Sequence, residues 1–143
     1  MNKPISTMMH GVLDYITAPT LLLLPRALGW SDRITALLSS AGLGAVGYSV
    51  LTRYELGLLR VLPMKVHLAL DIASGAMLAV SPFVLLRKRE RTITTVATLV
   101  GLGVYEIAAG LLTQTQSPIE QAAGEVEIDT MPSPDQFQPT AIS

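Results

Sequence analysis

The chain predicts an all-α membrane protein: four transmembrane helices formed by two tandem, parallel-repeat helical hairpins, with a disordered C-terminal tail. Three observations carry this. Half of the 143 residues are apolar and only 15% are charged, against roughly 25% charged in a soluble domain. The charges also avoid long stretches: none lies between Ile34 and Thr52, and only Glu106 lies between Thr92 and Thr113. Finally, sliding the chain by 57 residues superposes its rarest residue types. His10 meets His67, Asp14 meets Asp71, Pro25 meets Pro82, Gly44 meets Gly101 and Tyr48 meets Tyr105. Both histidines of the chain fall in this register, and a fixed period is the mark of an internal repeat.

A hydrocarbon core about 30 Å thick needs about 20 mostly apolar residues per helix. The first run, Met8–Leu24, contains Pro19, which predicts a kink, and Pro25 closes it. The turn Arg26–Arg33 carries Trp30, an expected interfacial anchor. The second run is Ile34–Thr52, where Ser40 with Gly44 and Ala41 with Ala45 form the small-xxx-small pattern of a tight helix seam. Arg53–Lys65 is too short and charged to span; its Leu56, Leu58, Leu59 and Val61 suit the headgroup region while Arg53, Glu55 and Arg60 face water. The third run, Val66–Leu86, ends near Ser81-Pro82, and Arg87–Arg91 is a tight basic turn. The fourth, Thr92–Thr113, repeats the seam with Ala97, Gly101 and Gly103. These runs make one domain over residues 1–113, with repeats at about 8–52 and 65–113. The tail, Gln114–Ser143, has five acids, four prolines and no Lys or Arg, and reads as disordered. The first apolar run is interrupted by His10, Asp14 and Pro19, so it reads as a retained segment rather than a cleaved signal peptide.

Each unit holds two spans, so both copies enter the membrane in the same direction, related by a pseudo-two-fold axis along its normal. His10 and His67 then open the first and third helices, and Asp14 and Asp71 lie one turn deeper on the same faces. The second and fourth helices run back, bringing Tyr48, Tyr105 and Glu106 towards that leaflet. Seven polar side chains thus share one half of the membrane. Ionisable groups in a bilayer are costly and usually turn inward and pair. Such a layer can be a hydrogen-bonded lattice that joins the repeats, a proton- or cation-handling site, or a site for a metal or haem, with His10, His67, Asp14 and Asp71 as candidate metal ligands. Ser49 replaces glutamate at the position matching Glu106, so the site is not symmetric.

The composition excludes several classes. There is no cysteine, so no disulfide or thiolate site. Net charge is −1 with no basic stripe, which argues against nucleic acid. No nucleophile–base set or phosphate loop is present, and Ser6 and Thr7 read as helix caps. The turns after the first and third spans hold six Lys and Arg against four on the other side, which places the turns inside the cell and both termini outside.

Leu51-Thr52-Arg53-Tyr54-Glu55-Leu56-Gly57, Pro63-Met64-Lys65-Val66-His67, Leu70-Asp71, Ser81-Pro82-Phe83 and Glu106-Ile107 together resemble the SPW-repeat proteins, small prokaryotic membrane proteins with a two-helix repeat. The likeness runs from about Met9 to Thr115. The name-giving Ser-Pro-Trp is Ser81-Pro82-Phe83 in the second copy and Leu24-Pro25-Arg26 in the first. The resemblance implies a four-helix fold and a bacterial inner-membrane address, and no established activity. The expectation is a non-enzymatic structural, interaction or accessory protein without a cofactor, whose partners are the lipid bilayer and another copy of itself or another membrane protein. The alternative is a proton- or metal-coupled carrier or sensor.

Overall fold

The computed structural model describes residues 3–130. Among them the chain is all-helical, with five α-helices and no strand: α1 (Thr7–Ala27), α2 (Asp32–Leu51), α3 (Met64–Val84), α4 (Ile93–Leu112) and α5 (Pro118–Thr130). The helices pair as hairpins, α1 with α2 and α3 with α4, and the hairpins meet much more loosely. Three helices, α2, α3 and α4, are long and apolar enough to cross a membrane. The 21-residue α1 is as long but more polar, because Thr7, His10, Asp14 and Thr17 dilute its apolar run.

The outer surface is apolar. Leu23, Leu43, Phe83, Val84 and Ile93 are all at least 60% exposed, whereas the interior buries glycine, alanine, serine, histidine and aspartate. Water would not sustain that inversion; lipid does. An apolar cluster of Leu21, Ile34, Leu38, Leu78, Leu86 and Leu99 fills the half near the two interhelical turns, and the polar groups fill the other half.

Each helix start has a local cause. The Ser6 hydroxyl caps α1 by accepting from the Met9 amide, and the Thr92 hydroxyl caps α4 by accepting from Thr95. Pro19 and Pro25 lie inside α1, so the helix passes the proline expected to close it and ends two residues later at Ala27. Pro82 likewise sits two residues before the end of α3. Pro25 and Pro82 each lie in the last turn and deprive the carbonyl four residues earlier of its amide; at Pro82 the Ser81 hydroxyl donates to that carbonyl, of Leu78, instead.

The structure corrects the repeat register. The odd helices keep the 57-residue shift: Ala18 matches Gly75, Leu21 matches Leu78 and Pro25 matches Pro82 in burial. The even helices do not. The buried stripe of α2 is Ile34, Leu38, Gly42, Ala45, Ser49 and that of α4 is Thr95, Leu99, Gly103, Glu106, Gly110, each 61 residues on. The connection 85–92 is four residues longer than 28–31, and four residues are about one helical turn. Glu106 therefore matches Ala45 rather than Ser49, and Tyr48 matches Ala109 rather than Tyr105.

The same shift corrects the expected seam. Gly44 and Gly101 face open space. The close approaches are made by Gly42, where a Cβ would lie 2.8 Å from the Ala18 carbonyl oxygen, and by Gly75, where it would lie 2.6 Å from that of Gly103. Trp30, in the turn between α1 and α2, packs half-buried on the apolar cluster. Leu58, Leu59 and Val61 are exposed as expected, but Leu56 turns inward against Tyr54, Met64 and Leu68.

The tail is not disordered throughout. Ser117 and Glu120 form a reciprocal capping box, the Ser117 amide donating to the Glu120 carboxylate and the Glu120 amide to the Ser117 hydroxyl. Pro118 takes the first helical position, where its missing amide costs nothing. Glu120 also accepts from the Met64 amide at the start of α3, and Ser117 donates to the Arg53 carbonyl. The remainder of the expected disordered segment, 131–143, lies outside the described residues.

Candidate functional site

At the ends of the helices opposite the two turns, the chain crosses between repeats. Ile5, just before α1, pairs with Thr113 at the end of α4, and Leu62, before α3, pairs with Thr52 at the end of α2. This exchange is pseudo-two-fold, and it presses the first turns of α1 and α3 together at the axis. His10 and His67, one turn into each helix, face each other with their Nε2 atoms 3.2 Å apart.

Four side chains converge there. His10 Nε2 lies 2.8 Å from Asp71 Oδ2 and 3.4 Å from Asp14 Oδ1. His67 Nε2 lies 3.2 Å from Asp14 Oδ2 and 3.3 Å from Asp71 Oδ2. Each imidazole thus contacts the carboxylate of its own helix and that of the other repeat. Both rings are buried to 1% exposure or less.

The other ring nitrogens decide what the centre presents. His67 Nδ1 is 2.8 Å from the Thr52 hydroxyl, and His10 Nδ1 is 2.8 Å from the Thr113 hydroxyl. A threonine hydroxyl has one proton. Thr52 donates its proton to the Tyr48 carbonyl and Thr113 to the Ala109 carbonyl, both at 2.6 Å. Each hydroxyl oxygen therefore accepts from Nδ1–H. In the neutral rings that leaves both Nε2 lone pairs, beside two carboxylates, aimed into one small volume. Four acceptors in contact require positive charge among them, from protons or from a metal ion.

Hydroxyl donors orient the carboxylates. Tyr48 donates to Asp71 Oδ1 at 2.7 Å, and Ser49 donates to Asp14 Oδ2 at 3.1 Å. Tyr48 also stands edge-on to the His67 ring. Tyr54, fully buried, covers the site between the loop and α1, tilted against His67 at 5.7 Å. It fits because residue 11 is glycine; a Cβ there would collide with the Tyr54 ring. Burial pushes the Tyr54 phenol upward, so it stays a neutral lid.

Of the seven residues that the sequence singled out, His10, Asp14, Tyr48, His67 and Asp71 meet directly. Glu106 is buried at 8% exposure beside them, with Oε2 lacking a hydrogen-bond partner. Tyr105 lies at the edge, 38% exposed, its hydroxyl meeting that of Thr17 at 3.3 Å. Ser81, Pro82 and Phe83 are at the far end of α3 and take no part: Ser81 bonds the Leu78 carbonyl, and Phe83 points outward. Sequence reasoning missed Thr52, Thr113 and Ser49. The 57-residue shift hid the threonines, which stand 61 apart; their shared place at the end of each returning apolar run was the available signal. Ser6 caps as expected, while Thr7 instead donates to Glu55.

No family model, curated protein or solved structure matches the chain.

Proposed function

We propose that this is a four-span membrane protein that binds one divalent transition-metal ion between its two repeats, through His10, Asp14, His67 and Asp71, and serves as a metal carrier or sensor. One observation carries the reading: one ligand atom from each of the four residues lies within 4.8 Å of the others. A four-coordinate ion with bonds of about 2.0–2.1 Å needs ligand atoms about 3.3 Å apart. The two Nε2 atoms stand 3.2 Å apart, and each lies 2.8 to 3.4 Å from an oxygen of both carboxylates. The four residues form a compact set of possible ligands, and imidazole with carboxylate suits zinc and its neighbours. Two carboxylates also neutralise a dication, so the loaded centre carries no net charge into lipid. Thr52 and Thr113 supply the outer contacts that fix the ligating nitrogen. Two imidazoles 3.2 Å apart leave no space for a macrocycle between them, which disfavours haem.

The same geometry supports a fourth span: α1 packs along α2, and His10 of α1 meets His67 of α3 directly. The Lys and Arg of the short turns support termini outside the inner membrane, and the motif likeness supports a place among the SPW-repeat proteins.

The test is metal content. Protein purified in detergent, exposed to zinc and dialysed is expected to hold about one zinc per chain by mass spectrometry of the metal, and cobalt is expected to give tetrahedral visible bands. Asp71→Asn and His67→Ala are expected to abolish both signals. A wild-type protein that retains neither ion defeats the reading and restores the alternative, a packing lattice in a structural or accessory membrane protein.

A further inference from the structure

The two repeats surround the centre unequally. On the α2–α3 side, Tyr48 fills the space beside Asp71 and bonds its carboxylate. On the α1–α4 side the matching residue is Ala109, and a cavity lies beside the centre, walled by Ala109 and Glu106 of α4 and by Ala45 and Tyr48 of α2. It measures about 20 Å³, room for one water. Its walls include Asp14 and Asp71 at the inner end and Thr17 and Tyr105 at the outer end. Glu106 stands between, more than nine-tenths buried, with one carboxylate oxygen unpartnered. Ala45 occupies the matching position of α2, so the orphan carboxylate exists on this side alone.

An unpaired buried acid is expensive in lipid and calls for a reason. Glu106 does not reach the cage's hydrogen bonds, yet it shares a cavity with two of the four ligands. Outward of it, the Thr17 and Tyr105 hydroxyls meet at 3.3 Å. The helices on either side, α1 and α4, belong to different hairpins and pack loosely, so this seam can part without breaking either hairpin.

We infer that the cavity is the exchange port of the metal centre and that Glu106 is its transit ligand, taking a divalent cation from the Thr17–Tyr105 mouth and passing it to Asp14 and Asp71. The inference rests on the metal-binding reading above. Glu106 lowers the cost of bringing a dication through a low-dielectric passage by supplying a negative charge part-way, and α2 offers only Ala45 at the matching position. The route is therefore one-sided although the cage is two-fold. Because the ion is held by four other ligands at rest, Glu106 governs how fast it moves and not how tightly it ends.

The experiment measures exchange in full-length protein reconstituted into phosphatidylethanolamine–phosphatidylglycerol nanodiscs and loaded with zinc. A fluorescent chelator is added and release is followed in time; reloading is followed after stripping. Glu106→Gln is expected to keep about one zinc per chain and to slow both directions by about tenfold or more, the effect of removing one favourable charge contact of about 1.4 kcal/mol at the barrier. Tyr105→Phe, which removes the closing contact at the mouth, is expected to speed both. Wild-type rates in both variants overturn the port while leaving the metal centre standing. Loss of stoichiometric zinc in Glu106→Gln overturns it too, since Glu106 is then a resident ligand. A wild-type protein that binds no metal defeats the parent reading and the port together.

Discussion

The seam between α2 and α3 and the seam between α4 and α1 are the same interface seen twice, and they differ where it matters. Both bring a histidine and an aspartate to the axis, and both place a C-terminal threonine on the histidine's Nδ1. Only one has a tyrosine bonded to its aspartate; only the other places a glutamate, with one oxygen unpartnered, on the small cavity beside the centre. The shared features build the centre, and the unshared ones give its two flanks different linings. The difference follows from a one-turn shift of α4. That shift comes from four extra residues in the basic connection, held by Arg91 on the Phe83 and Leu86 carbonyls and by Glu90 on the Arg87 amide.

The comparison can be broken by disturbing what holds a hairpin together. Gly75→Ala puts a methyl 2.6 Å from the Gly103 carbonyl oxygen, a backbone atom that cannot swing aside. It is expected to destabilise the protein by about 1–3 kcal/mol, the usual cost of overpacking. Gly101→Ala, over open space, is expected to stay within about 0.5 kcal/mol of wild type. Thermal unfolding in detergent separates them; equal losses would mean that α3 and α4 meet elsewhere.

Symmetric and asymmetric pairs should respond differently. Thr52→Val and Thr113→Val each remove the oxygen that receives Nδ1–H, and each is expected to weaken zinc binding by about 10–100-fold, the usual effect of losing an outer contact. The two losses should match within a few-fold in competition titrations with a chelator. Tyr48→Phe is expected to weaken binding as well, by loosening Asp71, while Tyr105→Phe leaves equilibrium affinity near wild type.

The smallest effect lies in the long connection of the second repeat. The Ser31 hydroxyl donates to Glu90 at 2.5 Å and holds its carboxyl below the usual range, with the Arg87 amide assisting. A depressed folded value adds stability above the unfolded value near 4.5, lost as pH falls through the lower folded value. Ser31→Ala is therefore expected to lower the melting temperature slightly at pH 7 and to narrow its gap to wild type as the medium is acidified below pH 4.5. A gap that is constant with pH would show that Glu90 does not report the contact.

Much of the centre was legible because lipid makes polar residues rare. In an apolar chain, two His-x-x-x-Asp groups 57 residues apart stand out against a nearly silent background, and helix periodicity puts each pair on one face. The threonines were not legible, since hydroxyls at span ends are common and these two break the 57-residue register. The small-residue seam was half legible: Ala45 and Gly103, named from the sequence, are buried in it, whereas Gly44 and Gly101 face open space and Gly42 is the match of Gly103. The capping box at Ser117–Glu120 was visible but hidden by the acidic, lysine-free composition around it.

The amino-acid order alone determined that most of this chain is apolar enough to suit lipid, that it is a duplicated helical hairpin, and that its histidines and aspartates share a level. These are one-dimensional properties, set by local hydropathy and by the 3.6-residue turn. Tertiary structure decided which glycines touch, which oxygens hold the imidazoles, and that Glu106 stands on the small cavity beside them. Such outcomes depend on the axial offset of one helix against another, and four residues in a distant turn set that offset without marking the positions it brings together.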